Sequence, residues 1–130
     1  MYTTIAGMKN LSFIRLGAAN LFIAVAAGAF GAHALKAILS PAMQSVWQTA
    51  VTYHMVHGLG LLLIGILLQQ IPNQMRRLQQ AGWAMLLGIL LFCGSLYTMA
   101  LTDIRLLGAI TPFGGILFLA AWFMLASCKI

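Results

Sequence analysis

The sequence predicts an all-α membrane protein, an antiparallel four-helix transmembrane bundle with both termini on the cytoplasmic side. Three observations predict it. The first is composition: of 130 residues, 62% are hydrophobic and 6% are charged, and the mean hydropathy is +0.99. A soluble domain carries about 25% charged residues, and a chain of one-domain length has too much surface to cover with so few. That excludes an ordinary soluble domain, a disordered tail and a disulfide mini-protein. The second is the length of the charge-free stretches. The third is where the basic residues stand.

The stretch Leu16–Leu35 runs 20 residues without a charge, Ala37–Met75 runs 39, Leu78–Thr102 runs 25 and Leu106–Cys128 runs 23. A membrane-crossing helix needs about 20 mostly apolar residues. The stretch of 39 opens with Ser40, Pro41, Gln44, Ser45 and Gln48, so it holds one span. The predicted spans are 16–35, 49–68, 78–100 and 106–126, within a single integral membrane domain. No segment shows the period-two alternation of a membrane barrel.

In the first span Ala24, Gly28 and Ala32 recur at i, i+4, i+8, a small-residue stripe that admits a close neighbouring helix. Its basic lead and its Ala32-His33-Ala34 triplet also fit a cleaved signal peptide, but the apolar stretch exceeds a signal core. Ser40-Pro41 reads as an N-cap followed by proline at the first helical position. Trp47 then falls where an indole sits at headgroup depth. Gly58 in the second span, Gly94 in the third, and Gly114 and Gly115 in the fourth are further candidate packing positions. Pro112 removes a backbone donor near the start of the fourth span.

With four spans, Lys9, Arg15, Arg76, Arg77 and Lys129 share one side, against Lys36 and Arg105 with Asp103 on the other. The positive-inside rule then puts both termini in the cytoplasm, or in the matrix of a mitochondrion. The net charge of +6 forms no patch, which argues against nucleic acid as a partner. Cys93 and Cys128 fall near opposite membrane faces, too far apart to pair.

The polar residues within the spans collect in the outer half. His33 ends the first span, and Tyr53, His54 and His57 begin the second. Ser95 and Tyr97 end the third, and Thr111 begins the fourth. Polar groups at this depth are costly unless paired, so they should face the bundle interior. Two readings stand. The residues either hold four helices in register through hydrogen bonds, or they form a pocket for a metal, haem, quinone or lipid. For a metal, His54 and His57 at i, i+3 would be joined by His33, with Met43, Met55 or Met99 as soft partners for Cu(I). No carboxylate pair, phosphate loop or nucleophile elbow is present, so no enzymatic role is expected. The cofactor, if any, is not specified by the sequence.

The segments Gly28-Ala29-Phe30-Gly31-Ala32-His33-Ala34-Leu35, Trp47-Gln48-Thr49-Ala50, Tyr53-His54-Met55-Val56-His57, Leu91-Phe92-Cys93-Gly94-Ser95-Leu96-Tyr97 and Ile110-Thr111-Pro112-Phe113-Gly114-Gly115 carry a specific likeness. With them the chain resembles the small membrane family catalogued as domain of unknown function 423, the YgdD/YwdK-like proteins, related to animal transmembrane protein 256. The resemblance implies a four-helix protein of the bacterial inner (plasma) membrane. It brings no activity and no catalytic residues. Cys93 departs from the small residue, usually serine, expected at its position, which weighs against a redox role.

The expected role is therefore non-catalytic: a small accessory or scaffold subunit beside a larger membrane complex, with respiratory oxidases or dehydrogenases as first partners to test. Little chain lies outside the spans, so recognition of lipids, of another membrane protein or of a second copy must use helix faces. A small carrier or channel would need polar residues through the inner half, around Leu61–Leu68 and Leu86–Leu91, and that half is nearly all apolar.

Overall fold

The computed structural model describes residues 2–129, with side-chain surroundings from residue 12 onward, so the side chain of Lys9 lies outside the description. It is all-helical. Helix α1 spans Tyr2–His33 and is followed by a 3₁₀ turn at Leu35–Ala37. Helix α2 spans Pro41–Gln70. Its start follows from local chemistry: Ser40 is extended, its hydroxyl accepts the Met43 N–H at 3.2 Å, and Pro41 fills the first helical position.

Pro72 ends the helical run of α2 and opens a 3₁₀ turn, Pro72–Gln74. Helix α3 (Met75–Gly88), a π turn (Ile89–Cys93) and α4 (Gly94–Thr102) then form one continuous rod. The rod stops at Asp103, the one non-glycine residue with positive φ (58°) among the described residues. A short aspartate tolerates that left-handed geometry better than a branched residue does. A 3₁₀ turn at Arg105–Ala109 leads into α5 (Thr111–Ala126), with Pro112 in its first turn.

Four helical stretches are long and apolar enough to cross a membrane: Ser12–His33, Pro41–Gln70, Pro72–Thr102 and Arg105–Ala126. They match the four expected spans in order. The largest difference is at α2: its helix starts at the expected Ser40-Pro41 cap, and the span-length apolar helix runs from Pro41 rather than from residue 49. The π turn inside the third span was not expected; hydropathy reports apolar length, not hydrogen-bond register.

Helix α2 occupies the middle. Half of its apolar window is buried within the protein, 50% against 17% for α1 and α5. Ala27, Asn20 and Gly17 of α1 meet Trp47, His54 and the Gly58–Leu62 backbone of α2 in turn. Helix α3 packs mainly on α5. One apolar cluster gathers Phe13, Leu61, Ile64, Leu68, Leu78 and Met85. A smaller one gathers Leu35, Trp47, Val51 and Ala100. Lipid is as apolar as these side chains, so close van der Waals contact rather than water exclusion holds such helices together. Glycine is what permits that contact at two crossings. A Cβ at Gly17 would stand 2.6 Å from the Leu62 nitrogen, and one at Gly114 would run into the Phe92 backbone.

Three expectations are corrected here. The α1 seam uses Gly17, Ala24 and Gly31, seven residues apart, with Gly28 against Val51. Ala32 is exposed, because helix crossing selects a near-heptad line rather than a strict i, i+4 line. Gly94 is not a packing glycine, since a Cβ there would meet nothing within 4 Å. Trp47 does not reach outward to headgroups. It is 7% exposed and donates its indole N–H to the Ala27 carbonyl at 2.9 Å.

Candidate polar layer and aromatic groove

Two histidines one turn apart on α2 lie along the chain between the apolar residues Val51 and Leu61, and each is 4% exposed. Residues at i, i+3 neighbour one another on a helix, yet these two rings reach different helices. His54 Nε2 lies 3.0 Å from Asn20 Oδ1 of α1, and His54 Nδ1 lies 3.0 Å from the Tyr97 hydroxyl of α4. Asn20 Nδ2 donates to the Leu16 carbonyl at 2.8 Å, which fixes the amide's orientation. Its oxygen can only accept, so His54 carries its proton on Nε2 and Tyr97 donates to Nδ1. Three helices are joined through one imidazole.

His57 holds the opposite tautomer. The Trp122 indole N–H of α5 can only donate, and it lies 3.0 Å from His57 Nε2. His57 Nδ1 then donates to the Tyr53 carbonyl at 2.7 Å. The ring is stacked on Phe118, with centroids 3.5 Å apart and planes 11° apart. The His57 ring is thus neutral, and all four ring nitrogens of the two histidines are occupied by protein partners.

A third pair serves the π turn. Ser95 Oγ donates to the Phe92 carbonyl at 2.9 Å and accepts from Thr111, 2.7 Å away. The turn shifts the ladder by one residue, so that the Gly94 N–H reaches the Ile89 carbonyl. The serine hydroxyl thus supplies a donor to the Phe92 carbonyl within that turn.

Of the sequence-predicted site residues, the fold brings His54 and Tyr97 together, His57 and Tyr53 together, and Ser95 and Thr111 together. It leaves His33 out. That residue is exposed at the end of α1 and makes no side-chain hydrogen bond among the described residues. The three-histidine metal set therefore does not assemble, because α1 ends beyond the level of His54. Among the described residues no three His, Cys, Asp or Glu side chains converge on one point. Cys93 is a buried free thiol, and Cys128 is free and half-buried.

Sequence reasoning missed Asn20 and Trp122, which complete the two histidine networks. Asn20 was findable, as a lone amide inside an apolar span needs a partner. Trp122 was not, because a tryptophan near a span end reads equally well as an interface anchor.

Beside His57 an apolar groove of about 500 Å³ opens between α2, the π turn and α5. Tyr53, His57, Phe92, Gly115, Phe118 and Trp122 line it. Gly115 keeps one wall low, since a Cβ there would approach the Phe92 ring only to 3.9 Å. Tyr53 is 41% exposed and its ring lies 4.4 Å from that of Phe92. Its hydroxyl has no partner among the described side chains, so the groove offers aromatic faces and one free phenol. It offers no free imidazole, because His57 is fully used.

The comparisons with known proteins follow this geometry. A family model described as protein of unknown function (DUF423) matches residues 27–115, which include α2, the π turn, α4 and both histidines. The chain is 46% identical over 113 residues to the UPF0382 membrane protein YwdK of Bacillus subtilis, covering 87% of this chain and 91% of that one. It is 51% identical over 113 residues to a UPF0382 membrane protein of Staphylococcus haemolyticus, covering 87% and 90% of the two chains. A UPF0382 membrane protein of Staphylococcus saprophyticus is 52% identical over the same length, covering 87% and 92%. No solved structure matches. With the match extending over most of the chain and through the polar layer, this membrane protein belongs to the DUF423 family.

Proposed function

We propose that the chain is a non-catalytic accessory or scaffold subunit of a larger complex in a bacterial inner membrane. Its helices run antiparallel and both termini face the cytoplasm. The observation that carries this reading is the occupation of all four histidine nitrogens by Asn20, Tyr97, Trp122 and the Tyr53 carbonyl. The outer polar cluster is consumed in holding helices, which leaves outward helix faces to do the recognising. Such faces are ample: Phe22, Ile23 and Val25 on α1 and Phe113, Leu119 and Phe123 on α5 are all exposed. The chain order of the α1–α2 contacts and the five basic residues on one side support the topology. Gentle extraction from native membranes followed by native mass spectrometry tests the role. A second polypeptide, with a respiratory oxidase or dehydrogenase subunit as the first to look for, supports it. The chain always alone overturns it.

One observation favours a second reading, the aromatic groove beside His57. A flat apolar molecule such as a quinone ring, or a lipid chain, fits its lining, and the Tyr53 hydroxyl is the polar contact. Gly115→Leu fills the groove while removing no donor or acceptor of either histidine network. A co-purifying small mass that this variant loses supports the second reading, and a mass that it keeps removes it.

A further inference from the structure

At the end of the molecule where α3 begins and α5 finishes, an open polar recess of about 380 Å³ is lined by Asn73, Gln74, Arg76, Arg77, Gln80 and Met124. Arg77 is held rather than free. Its Nη2 donates to Ser127 Oγ at 2.6 Å, and Ser127 in turn donates to the Phe123 carbonyl at 2.7 Å. Its Nε is buried and has no hydrogen-bond partner among the described residues. A guanidinium N–H is an obligate donor, and leaving it dry and unpaired is costly.

No carboxylate is among the described residues that line the recess. The chain has one acidic side chain, Asp103, and it sits 3.7 Å from Arg105. The recess lies near the start of the Pro72–Thr102 span and the end of the Arg105–Ala126 span, the depth of a headgroup. Helix α3 also begins there without a side-chain cap, which adds partial positive charge.

We propose that this recess is a binding site for the phosphate group of an anionic phospholipid headgroup. Phosphate oxygens only accept, and a guanidinium fork matches them in two parallel hydrogen bonds. Arg77, oriented by Ser127, supplies the remaining N–H groups of its two Nη atoms to the phosphodiester. Arg76, exposed beside it, adds the second positive charge, and the amides of Asn73, Gln74 and Gln80 surround the headgroup. Two guanidinium groups disfavour a choline cation, so a zwitterionic headgroup binds less well. This site is separate from the histidine layer and does not depend on the accessory role.

Native mass spectrometry of the detergent-purified full chain, titrated with phosphatidylglycerol, tests the assignment. Phosphatidylcholine and inorganic phosphate are run alongside. The wild type is expected to hold one phosphatidylglycerol in preference to phosphatidylcholine. Arg77→Gln and Arg76→Gln should each weaken it on the order of fivefold, the size of one basic residue's attraction to an anionic headgroup. Arg15→Gln, an exposed basic residue outside the recess, should leave it unchanged. Equal lipid affinity in all four proteins overturns the proposal. So does equal weakening by Arg15→Gln, which means diffuse attraction, or binding of inorganic phosphate with no preference for phosphatidylglycerol. Thermal unfolding in phosphatidylcholine micelles shows that each variant is folded. If Arg77→Gln does not fold, Arg76→Gln alone decides.

Discussion

The indole N–H of Trp122 ends on Nε2 of His57 at 3.0 Å, and this bond ties α5 to the central helix. It is also what fixes the His57 proton on Nδ1. The same residue thereby loses its capacity to ligate a metal or haem through either nitrogen.

Trp122→Phe keeps most of the ring volume and removes the donor. The variant should be destabilised by about 1 kcal/mol, because a buried imidazole nitrogen is left unpaired. A double-mutant cycle with His57→Phe should return a coupling of roughly 0.6–1.7 kcal/mol, the range of interhelical hydrogen bonds in membranes. Reversible unfolding in mixed micelles measures both, and a coupling near zero would detach the two residues energetically.

Asn20→Leu should cost more than Tyr97→Phe. The first strands the Nε2 proton of His54, whereas the second leaves an unpaired acceptor, the less expensive defect. A single interhelical hydrogen bond averages about 0.6 kcal/mol in a membrane protein, so the two variants should differ by about that much. The same unfolding assay ranks them.

The glycines divide by what a methyl group would meet. Gly17→Ala places a carbon against the α2 backbone, which cannot step aside, and should destabilise by roughly 1–3 kcal/mol. Gly94→Ala enters open space and should be neutral or stabilising by up to about 1 kcal/mol, the helix-propensity gain. Equal effects would mean that α1 does not cross α2 at Gly17.

Thiol labelling separates the two cysteines and tests the topology. Cys93 is buried and should react with a maleimide only after unfolding, whereas Cys128 is half-buried near the chain end. In sealed vesicles a membrane-impermeant maleimide should reach Cys128 from the cytoplasmic face. Labelling from the opposite face would reverse the proposed orientation.

The number of spans, their order and the helix start at Ser40-Pro41 were all legible in the sequence, because each depends on local composition or one capping interaction. The clustering of Tyr53, His54, His57, Ser95, Tyr97 and Thr111 was legible too, as polar residues in apolar spans must find one another. Which residue pairs with which was not. His54 and His57 look equivalent in the sequence, yet a single turn of α2 sends one to Asn20 and Tyr97 and the other to Trp122. His33 looks like their natural third member, and the level at which α1 crosses α2 leaves it outside. The rotation of each helix about its own axis is set by the contacts at Gly17, Gly31 and Gly114, between segments far apart in the chain. Hydropathy is a sum over neighbours along the chain and holds no record of that rotation, so the tautomers, the π turn and the groove beside His57 were decided by tertiary packing alone.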